Sequence, residues 1–463
     1  MLRTIAVILS GNAAAALMIL ARNLIVARLI PVADYGIAST FAITMAIVEM
    51  LSALGLQQQI VRDQQGEDPH LQAALQGFQV LRGALSAGAL WLIARPMADF
   101  MAIPEATWAF HWLALVPLAN GFVHFDIYRL NRRMSFGPGL LTTTVPALVS
   151  LMLVWPLAML LKDYRVMLWA ILAQAFLTAI TSHLVAQRPY ALVLDRHVMG
   201  RSLLFGWPIL LNGALLFGIF NGDRLIVGHV MGMEPLAIFS MGLTLTMTPT
   251  LVLEKTAQSF FLPQLSRAVD DTTRFANLSV AAFQAHILCG LVLVAVILIF
   301  GDLLVTLLLG PQYSALSGLL VWLAIQQAIR LAKGGNSPSA LARAQTTNSM
   351  LGSLPRVLML APAAWAAAQG ASLEQLIQIG IIGEILGYGL TLILTGGRMG
   401  LPLRPLIVPS LTALAMLCAA ALSTGGPYSL LLIGIALLCG LGSVLSMGAL
   451  RALILQRKDT VTK

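Results

Sequence analysis

Apolar segments of about 20 residues follow one another along almost the whole chain, separated only by short polar breaks. A helix of about 20 residues crosses the roughly 30 Å hydrocarbon core of a bilayer. The composition agrees, since 58% of the 463 residues are hydrophobic and only 10% are charged, whereas soluble domains have about a quarter charged residues. We therefore predict an all-α, multi-pass membrane protein without a separate soluble domain.

The apolar segments predict fourteen transmembrane helices. They lie near residues 5–27, 36–58, 73–94, 107–127, 140–161, 164–186, 202–222, 236–258, 276–300, 315–332, 346–368, 372–396, 405–423 and 428–452. The apolar start of the chain is predicted to be the first span rather than a cleaved signal peptide, because it continues into a motif that recurs later.

Lys and Arg are unevenly distributed between the two sides of these spans. With the N-terminus in the cytoplasm, the inward side receives Arg129, Arg132, Arg133, Arg188, Arg196, Arg201, Arg330, Lys333, Arg343, Arg398, Arg404, Arg451, Arg457, Lys458 and Lys463. The other side keeps only Arg28, Arg95, Lys162, Arg165 and Arg224. This bias places both termini in the cytoplasm and accounts for the net charge of +9 without a nucleic-acid partner.

Two passages about 200 residues apart resemble each other. At a constant offset of 201, Leu24, Ile25, Val26, Ile37 and Ser39 meet Leu225, Ile226, Val227, Ile238 and Ser240. After a shift of four residues, Glu49, Gln59 and Arg62 fall opposite Glu254, Gln264 and Arg267. A spacing of eleven also recurs between Asn12 and Asn23 and between Asn212 and Asp223, which puts each pair on one helix face.

The repeat predicts two pseudo-symmetric six-helix lobes followed by two extra helices. Their predicted ranges are 1–190, 191–396 and 397–463, the last including a tail after the final helix. Transporters built from repeats commonly bind substrate between the repeats near the middle of the membrane. We expect the polar residues of the two repeated passages to face a shared cavity.

Charged residues inside the predicted spans are the candidates for a substrate pathway, because a charge at a helix centre costs about 2.5–3.5 kcal/mol to insert. Arg22 lies in a first helix whose surroundings, residues 1–33, contain no acid. Guanidinium groups bind phosphate well and amides bind sugar hydroxyls. The predicted cavity residues are Arg22, Asn23, Asn212, Arg224, Arg330 and Arg356. Asp223, Glu49 and Glu254 are candidates for proton or Na⁺ coupling, although snorkelling and mutual pairing remain alternatives for several of these charges.

No nucleotide-binding loop, metal-ligand cluster or nucleophile–base spacing is recognisable in the sequence. The prediction is therefore a protein without cofactor, metal site or catalytic residues.

The chain resembles the polysaccharide transporter, or oligosaccharide flippase, branch of the multidrug/oligosaccharidyl-lipid/polysaccharide (MOP) exporter superfamily. The likeness rests on Arg22 through Gly36, with Asp34-Tyr35-Gly36 closing the first hairpin, and on Asp223 through Gly228. The second-half counterpart of Asp34-Tyr35-Gly36 reads Pro235-Leu236-Ala237, which departs from that pattern.

The resemblance implies an alternating-access flippase of the bacterial inner membrane that moves a polyprenyl-pyrophosphate-linked oligosaccharide for surface or exopolysaccharide synthesis. It also implies contact with membrane lipids, coupling to H⁺ or Na⁺, and a polysaccharide polymerase and export machinery as partners. A lipid II flippase or a cation-coupled multidrug exporter of the same superfamily is the alternative. A membrane-embedded glycan polymerase or ligase is disfavoured, since no outward loop is long enough for a catalytic domain.

Overall fold

The computed structural model describes residues 2–52, 54–343, 345, 347–424 and 429–453, with side chains from residue 13 onward except those at 51, 52 and 208. Within these ranges every element of regular secondary structure is a helix. The helices are α1 (Leu2–Leu29), α2 (Val32–Ser52), α3 (Leu56–Arg62), α4 (Pro69–Phe100), α5 (Thr107–Leu113), α6 (Leu115–Gly121), α7 (Asp126–Arg132), α8 (Gly137–Leu161), α9 (Arg165–Val185), α10 (Arg196–Val230), α11 (Met233–Arg267), α12 (Thr272–Leu308), α13 (Leu316–Gly334), α14 (Ser337–Ala342), α15 (Thr347–Leu358), α16 (Leu360–Ala368), α17 (Leu373–Met399), α18 (Arg404–Leu422) and α19 (Ser429–Ser446).

In the part of the chain that the structure describes, eleven helical segments are long and apolar enough to cross a membrane. Each has a counterpart among the fourteen predicted spans. The other three predicted spans lie near 5–27, 107–127 and 315–332, and for them the crossing stays a prediction. The multi-pass, all-helical architecture is confirmed.

The three remaining spans differ from the others for separate reasons. The α1 helix is long, but its first side chains, including that of Asn12, lie outside the described residues. The predicted span 107–127 is interrupted at Ala114, shortly before Pro117, whose missing N–H leaves the helix ladder incomplete. The α13 helix is continuous but carries Gln326, Gln327, Arg330 and Lys333, which lower its hydropathy.

The order of elements repeats between the two halves of the chain. The break between α1 and α2 and the break between α10 and α11 lie 201 residues apart, as the sequence repeat predicts. Both α4 and α12 begin after an aspartate N-cap, Asp68 or Asp271, whose side chain accepts a backbone N–H. Both helices are followed by a short 3₁₀ turn that starts with proline, Pro104–Ala106 or Pro311–Tyr313.

The Asp34-Tyr35-Gly36 motif lies within the first turns of α2, whereas the sequence predicted that it closes the hairpin. The chain reverses earlier, between Leu29 and Val32, so the helix begins four residues before the predicted start at residue 36. Asp34 is a favourable residue in a first helical turn, because its charge complements the unsatisfied N–H groups there.

The described chain divides into two compact units, Met1–Ala237 and Ile238–Lys463. The first unit therefore contains α10, the helix that opens the second copy of the repeat. Gly206 and Gly213 allow this helix to lie against backbone carbonyls of Leu54 and Met50. The predicted ranges 1–190, 191–396 and 397–463 follow the sequence repeat and stay a prediction.

The two extra helices, α18 and α19, belong to the second unit, and Gln284 of α12 bonds to the start of α18 and to the segment that follows α19. The Gln284 Nε2 donates to the Pro405 carbonyl at 3.2 Å, and its Oε1 accepts the Leu450 N–H at 2.9 Å. Ser443 on α19 also donates to the Pro409 carbonyl of α18 at 2.9 Å.

Candidate functional site

Arg22 on α1 points into the interior of the first unit and is only 7% exposed. Its Nη1 donates to Ser150 Oγ on α8 at 3.1 Å and to Gln174 Oε1 on α9 at 2.6 Å. Ser150 in turn donates to the Ala170 carbonyl at 2.8 Å, which orients its lone pairs toward the guanidinium. A buried cation held by neutral oxygens keeps its full charge, so this site attracts anions.

Two adjoining cavities open inside the first unit. One of about 420 Å³ is lined by Arg22, Glu49 and Gln174, and the other, of about 560 Å³, by Glu49, Gln57, Arg82 and Tyr128. Glu49, Asn120 and Thr178 line both. Together the cavities expose several charged and amide side chains among apolar helices, which is the arrangement expected of a substrate pathway in a membrane protein.

Glu49 gives this space an acidic group opposite two arginines. Its side chain is accessible to water although protein surrounds it on most sides, as expected for a group on the wall of an open cavity. It interacts electrostatically with Arg82. Counting Arg22, Arg82 and Glu49, the lining carries two cations and one carboxylate. The absence of acids from residues 1–33 therefore does not make the cavity free of acids.

The candidates Arg224 and Asn212 on α10 and Asn23 on α1 occupy three different environments. Arg224 is partly buried and donates to Asn221 Oδ1 at 3.4 Å, beside Asp223. Asn212 is exposed. Asn23 on α1 is partly buried and accepts from Arg22 at 3.4 Å, so it assists that guanidinium.

Tyr35 of the Asp34-Tyr35-Gly36 motif is 4% exposed and interacts with the charges of both Arg22 and Arg224. The motif thus places a phenol between the two repeated passages.

The remaining candidates form a separate buried group in the second unit. Glu384 on α17 is fully buried, and its Oε1 accepts from Arg330 Nε at 2.9 Å while its Oε2 accepts from Lys333 Nζ at 2.7 Å. Arg356 on α15 is 1% exposed with its Nε 3.8 Å from Glu384 Oε1. Glu254 on α11 interacts with Arg330 and Lys333. We call these five residues the Glu384 cluster.

Several of these contacts were not predicted from the sequence. Arg82 and Glu384 were recognisable as intramembrane charges but were not assigned to a site, and Lys333 was assigned to the inward end of its helix. Ser150 and Gln174 give no sequence signal, since isolated Ser and Gln residues are common in membrane helices. The substrate and coupling roles of the nine predicted residues stay predictions.

Outside the eleven apolar segments, a polar network attaches the linker after α9 to α7. Asp126 is fully buried; its Oδ1 accepts from Arg129 Nε at 2.5 Å and its Oδ2 from the backbone N–H of Gln187 at 2.8 Å and of Arg188 at 3.2 Å. Burial alone would raise the pKa of the Asp126 carboxyl, but these hydrogen bonds hold its pKa below the ordinary value.

The helical architecture, the apolar spans and the polar side chains inside them define the class of this chain: it is a multi-pass membrane protein. Residues 25–317 match the model of a family described as polysaccharide biosynthesis protein. The chain belongs to that family. Comparison with curated protein sequences gives no match.

Solved structures with a similar fold include a lipid II flippase and multidrug transporters. An inward-closed structure of the lipid II flippase MurJ has a TM-score of 0.70 at 13% identity, with 97% of this chain and all of that chain covered. An inward-facing multidrug resistance MATE transporter of the MOP superfamily has a TM-score of 0.67 at 15% identity, covering 83% and 94%. A mutant form of the Vibrio cholerae MATE transporter VcmN has a TM-score of 0.59 at 17% identity, covering 86% and 97%.

Proposed function

We propose that this protein is a flippase that moves a polyprenyl-pyrophosphate-linked oligosaccharide across the bacterial inner membrane by alternating access, for surface or exopolysaccharide synthesis. Membership in the polysaccharide biosynthesis family supports the pathway, and the MOP-type fold supports a transporter. The observation that carries the substrate class is the buried Arg22 on the wall of a polar cavity.

The residues around Arg22 suit both parts of such a headgroup. The guanidinium, held by Ser150 and Gln174, offers N–H donors to a pyrophosphate, which carries its charge on oxygens. Amides such as Asn120 and Gln57 and the Tyr128 ring line the same space, where sugar hydroxyls and ring faces would contact them. The polyprenyl chain would remain in the bilayer, since it gains nothing from a polar cavity.

The test is the analysis of lipid-linked intermediates in a strain that lacks the gene. We expect the undecaprenyl-linked glycan to accumulate on the cytoplasmic side and surface polysaccharide to be lost. Normal polysaccharide in the deletion strain would contradict the proposal, and accumulation of lipid II instead would identify the peptidoglycan precursor as the cargo.

Complementation with variants tests the role of Arg22 in that strain. Arg22→Ala should lower export about tenfold or more, because it removes charge-assisted hydrogen bonds to the headgroup. Arg22→Lys should restore part of it, since the charge returns without the planar fork. Arg95→Ala is the matched control, because the Arg95 side chain is 82% exposed and should leave export unchanged. Equal export by Arg22→Ala and Arg95→Ala, at equal membrane levels, would refute the assignment.

Glu49 favours a second candidate, a cation-coupled drug exporter, because it offers a carboxylate in the same cavity. In that case the deletion strain would become sensitive to cationic drugs with unchanged polysaccharide, and Glu49→Gln would fail to restore resistance.

A further inference from the structure

Glu49 lies where the two cavities of the first unit meet. It lines both of them, whereas Arg22 lines only the smaller cavity and Arg82 only the larger one. In the proposed function the pyrophosphate binds at Arg22, and the sugars extend toward Gln57 and Tyr128 in the larger cavity. A bound headgroup therefore passes the Glu49 carboxylate.

Few titratable side chains face Glu49 from the neighbouring helices. Within the described residues, those that line the two cavities are Arg22 of α1, Arg82 of α4 and Tyr128 of α7. The helices α3, α6, α8 and α9 contribute neutral groups there, among them Gln57, Asn120, Thr142, Gln174 and Thr178. His183 of α9 donates to the Phe122 carbonyl and lines neither cavity. Arg224 of α10 interacts with Tyr35, which precedes Glu49 on α2 by about four turns.

An anionic headgroup beside Arg22 changes the electrostatics of Glu49. Arg22 is held by neutral oxygens, so its charge attracts the phosphates. The same phosphates repel the Glu49 carboxylate, because two acidic groups that share a site cannot both stay ionised without cost. A proton on Glu49 removes this repulsion and lets the carboxyl donate a hydrogen bond to a phosphate oxygen. It also ends the attraction between Glu49 and Arg82, so that both arginines attract the headgroup.

We propose that Glu49 takes up a proton from water when the anionic headgroup binds and releases it when the headgroup leaves. The only bond that forms is the O–H bond of the Glu49 carboxyl, so the cargo itself is unchanged. This inference rests on the proposed function and adds to it that the ion accompanying the cargo is a proton and not Na⁺. Because binding takes up a proton, the affinity for the headgroup rises as the pH falls.

Calorimetric titration of the purified full-length protein measures this proton. The probe is farnesyl-pyrophosphoryl-glucose, a pyrophosphate diester that carries its negative charges throughout the neutral pH range and does not titrate there. Binding enthalpies at pH 7 in buffers of different ionisation enthalpy give the number of protons taken up. We expect about one proton per bound probe, and an affinity that falls about tenfold for each unit that the pH rises, as linkage requires.

Variants assign the proton to Glu49. Glu49→Gln removes the titrating group, so proton uptake should be lost and the affinity should no longer depend on pH. Glu49→Asp keeps a carboxyl and should restore most of the uptake. Glu105→Gln is the matched control, because Glu105 is exposed in the turn after α4 and lines neither cavity. It should take up the proton as the wild type does.

Binding of the probe without proton uptake, or equal uptake by Glu49→Gln and the wild type, would overturn this inference and leave the proposed function intact. An affinity that depends on Na⁺ at constant pH, without proton uptake, would also overturn it, because the accompanying ion would then be Na⁺. Absence of any binding would contradict the headgroup site at Arg22, and the proposed function would fail together with this inference. The wild-type titration decides the question even when Glu49→Gln does not fold.

Discussion

Buried arginines in this protein differ in their partners: some are held by neutral oxygens and others by a carboxylate. Arg22 is surrounded by neutral oxygens and lines a cavity, whereas Arg330 donates directly to the carboxylate of Glu384. The sequence identified both as charges within apolar spans. It could not separate them, because the partners Ser150, Gln174 and Glu384 lie 54 to 152 residues away along the chain.

Glu384→Gln should destabilise the second unit strongly. The variant leaves the Arg330, Lys333 and Arg356 charges without their shared carboxylate, and breaking a buried ion pair costs about 3–5 kcal/mol. Thermal unfolding of the purified protein measures the loss. Glu374→Gln, in the first turn of the same helix and bonded to Gln378, is the control and should have a Tm close to wild type. Equal Tm values for the two variants would show that Glu384 is not the anchor of its cluster.

At the scale of elements, the apolar pattern predicted helices and their order well, because each span must satisfy its own backbone within lipid. The helix breaks were predicted less well. The interruption at Ala114 precedes Pro117 and the one at Met359 precedes Pro362, and in both cases proline removes a single ladder hydrogen bond. Proline elsewhere is accommodated without a break, as Pro146 and Pro156 in α8 show. Neighbouring helices decide between the two outcomes.

Gly36→Ala should disturb the packing of α2 against the start of α11. A Cβ at position 36 would overlap the Met233 carbonyl oxygen, so the backbone must move. Such overpacking costs about 1–3 kcal/mol, measurable as a lower Tm. Gly88→Ala is the matched control, since nothing lies within 4 Å of its Cβ position; it should be neutral or stabilising because alanine favours helices. The packing argument fails if the two variants behave alike.

Asp126→Asn should loosen the linker that follows α9. The amide of Asn lacks the charge that holds the Gln187 and Arg188 N–H groups, so hydrogen exchange of the linker at pH 7 should accelerate about tenfold or more. Because the folded-state pKa of Asp126 is lowered, its contribution is present above the ordinary carboxyl pKa of about 4 and is lost as the pH falls through the folded value. Wild-type protection should therefore persist at pH 5.

Asp163→Asn provides the control for this experiment, because Asp163 accepts from the Arg165 N–H at the start of α9 and does not contact the linker. Linker exchange that is equally slow in Asp126→Asn and in the wild type, at the same pH, would contradict the attachment.

For the whole molecule, the number of crossings decides the topology. Fourteen crossings place both termini on one side of the membrane, whereas the eleven apolar segments that meet the length and hydropathy criteria would place them on opposite sides. The sequence favours the even number because its basic residues collect on one side. The distribution of basic residues predicts on which side of the membrane a loop lies. It does not predict which helices pack against each other.

Reporter fusions test this topology. A C-terminal fluorescent protein should fluoresce, and an alkaline phosphatase fusion at the same place should be inactive, because both report a cytoplasmic end. Fusions within Pro311–Tyr313 and after Arg343 should report opposite sides, since the polar helix α13 lies between them. Identical signals at these two positions would mean that α13 does not cross.

The placement of α10 in the first unit has a consequence for chimeric proteins. A crossover between two relatives in the linker between α9 and α10, where the first copy of the predicted repeat ends, would combine an α10 from one parent with the Met50 and Leu54 carbonyls of the other. A residue other than glycine at position 206 or 213 would not fit there. A Cβ at position 206 would overlap the Leu54 backbone oxygen, and one at position 213 would overlap that of Met50. Recombination after residue 237 keeps those partners together, so chimeras should fold better with a crossover there than with one between the two copies of the predicted repeat.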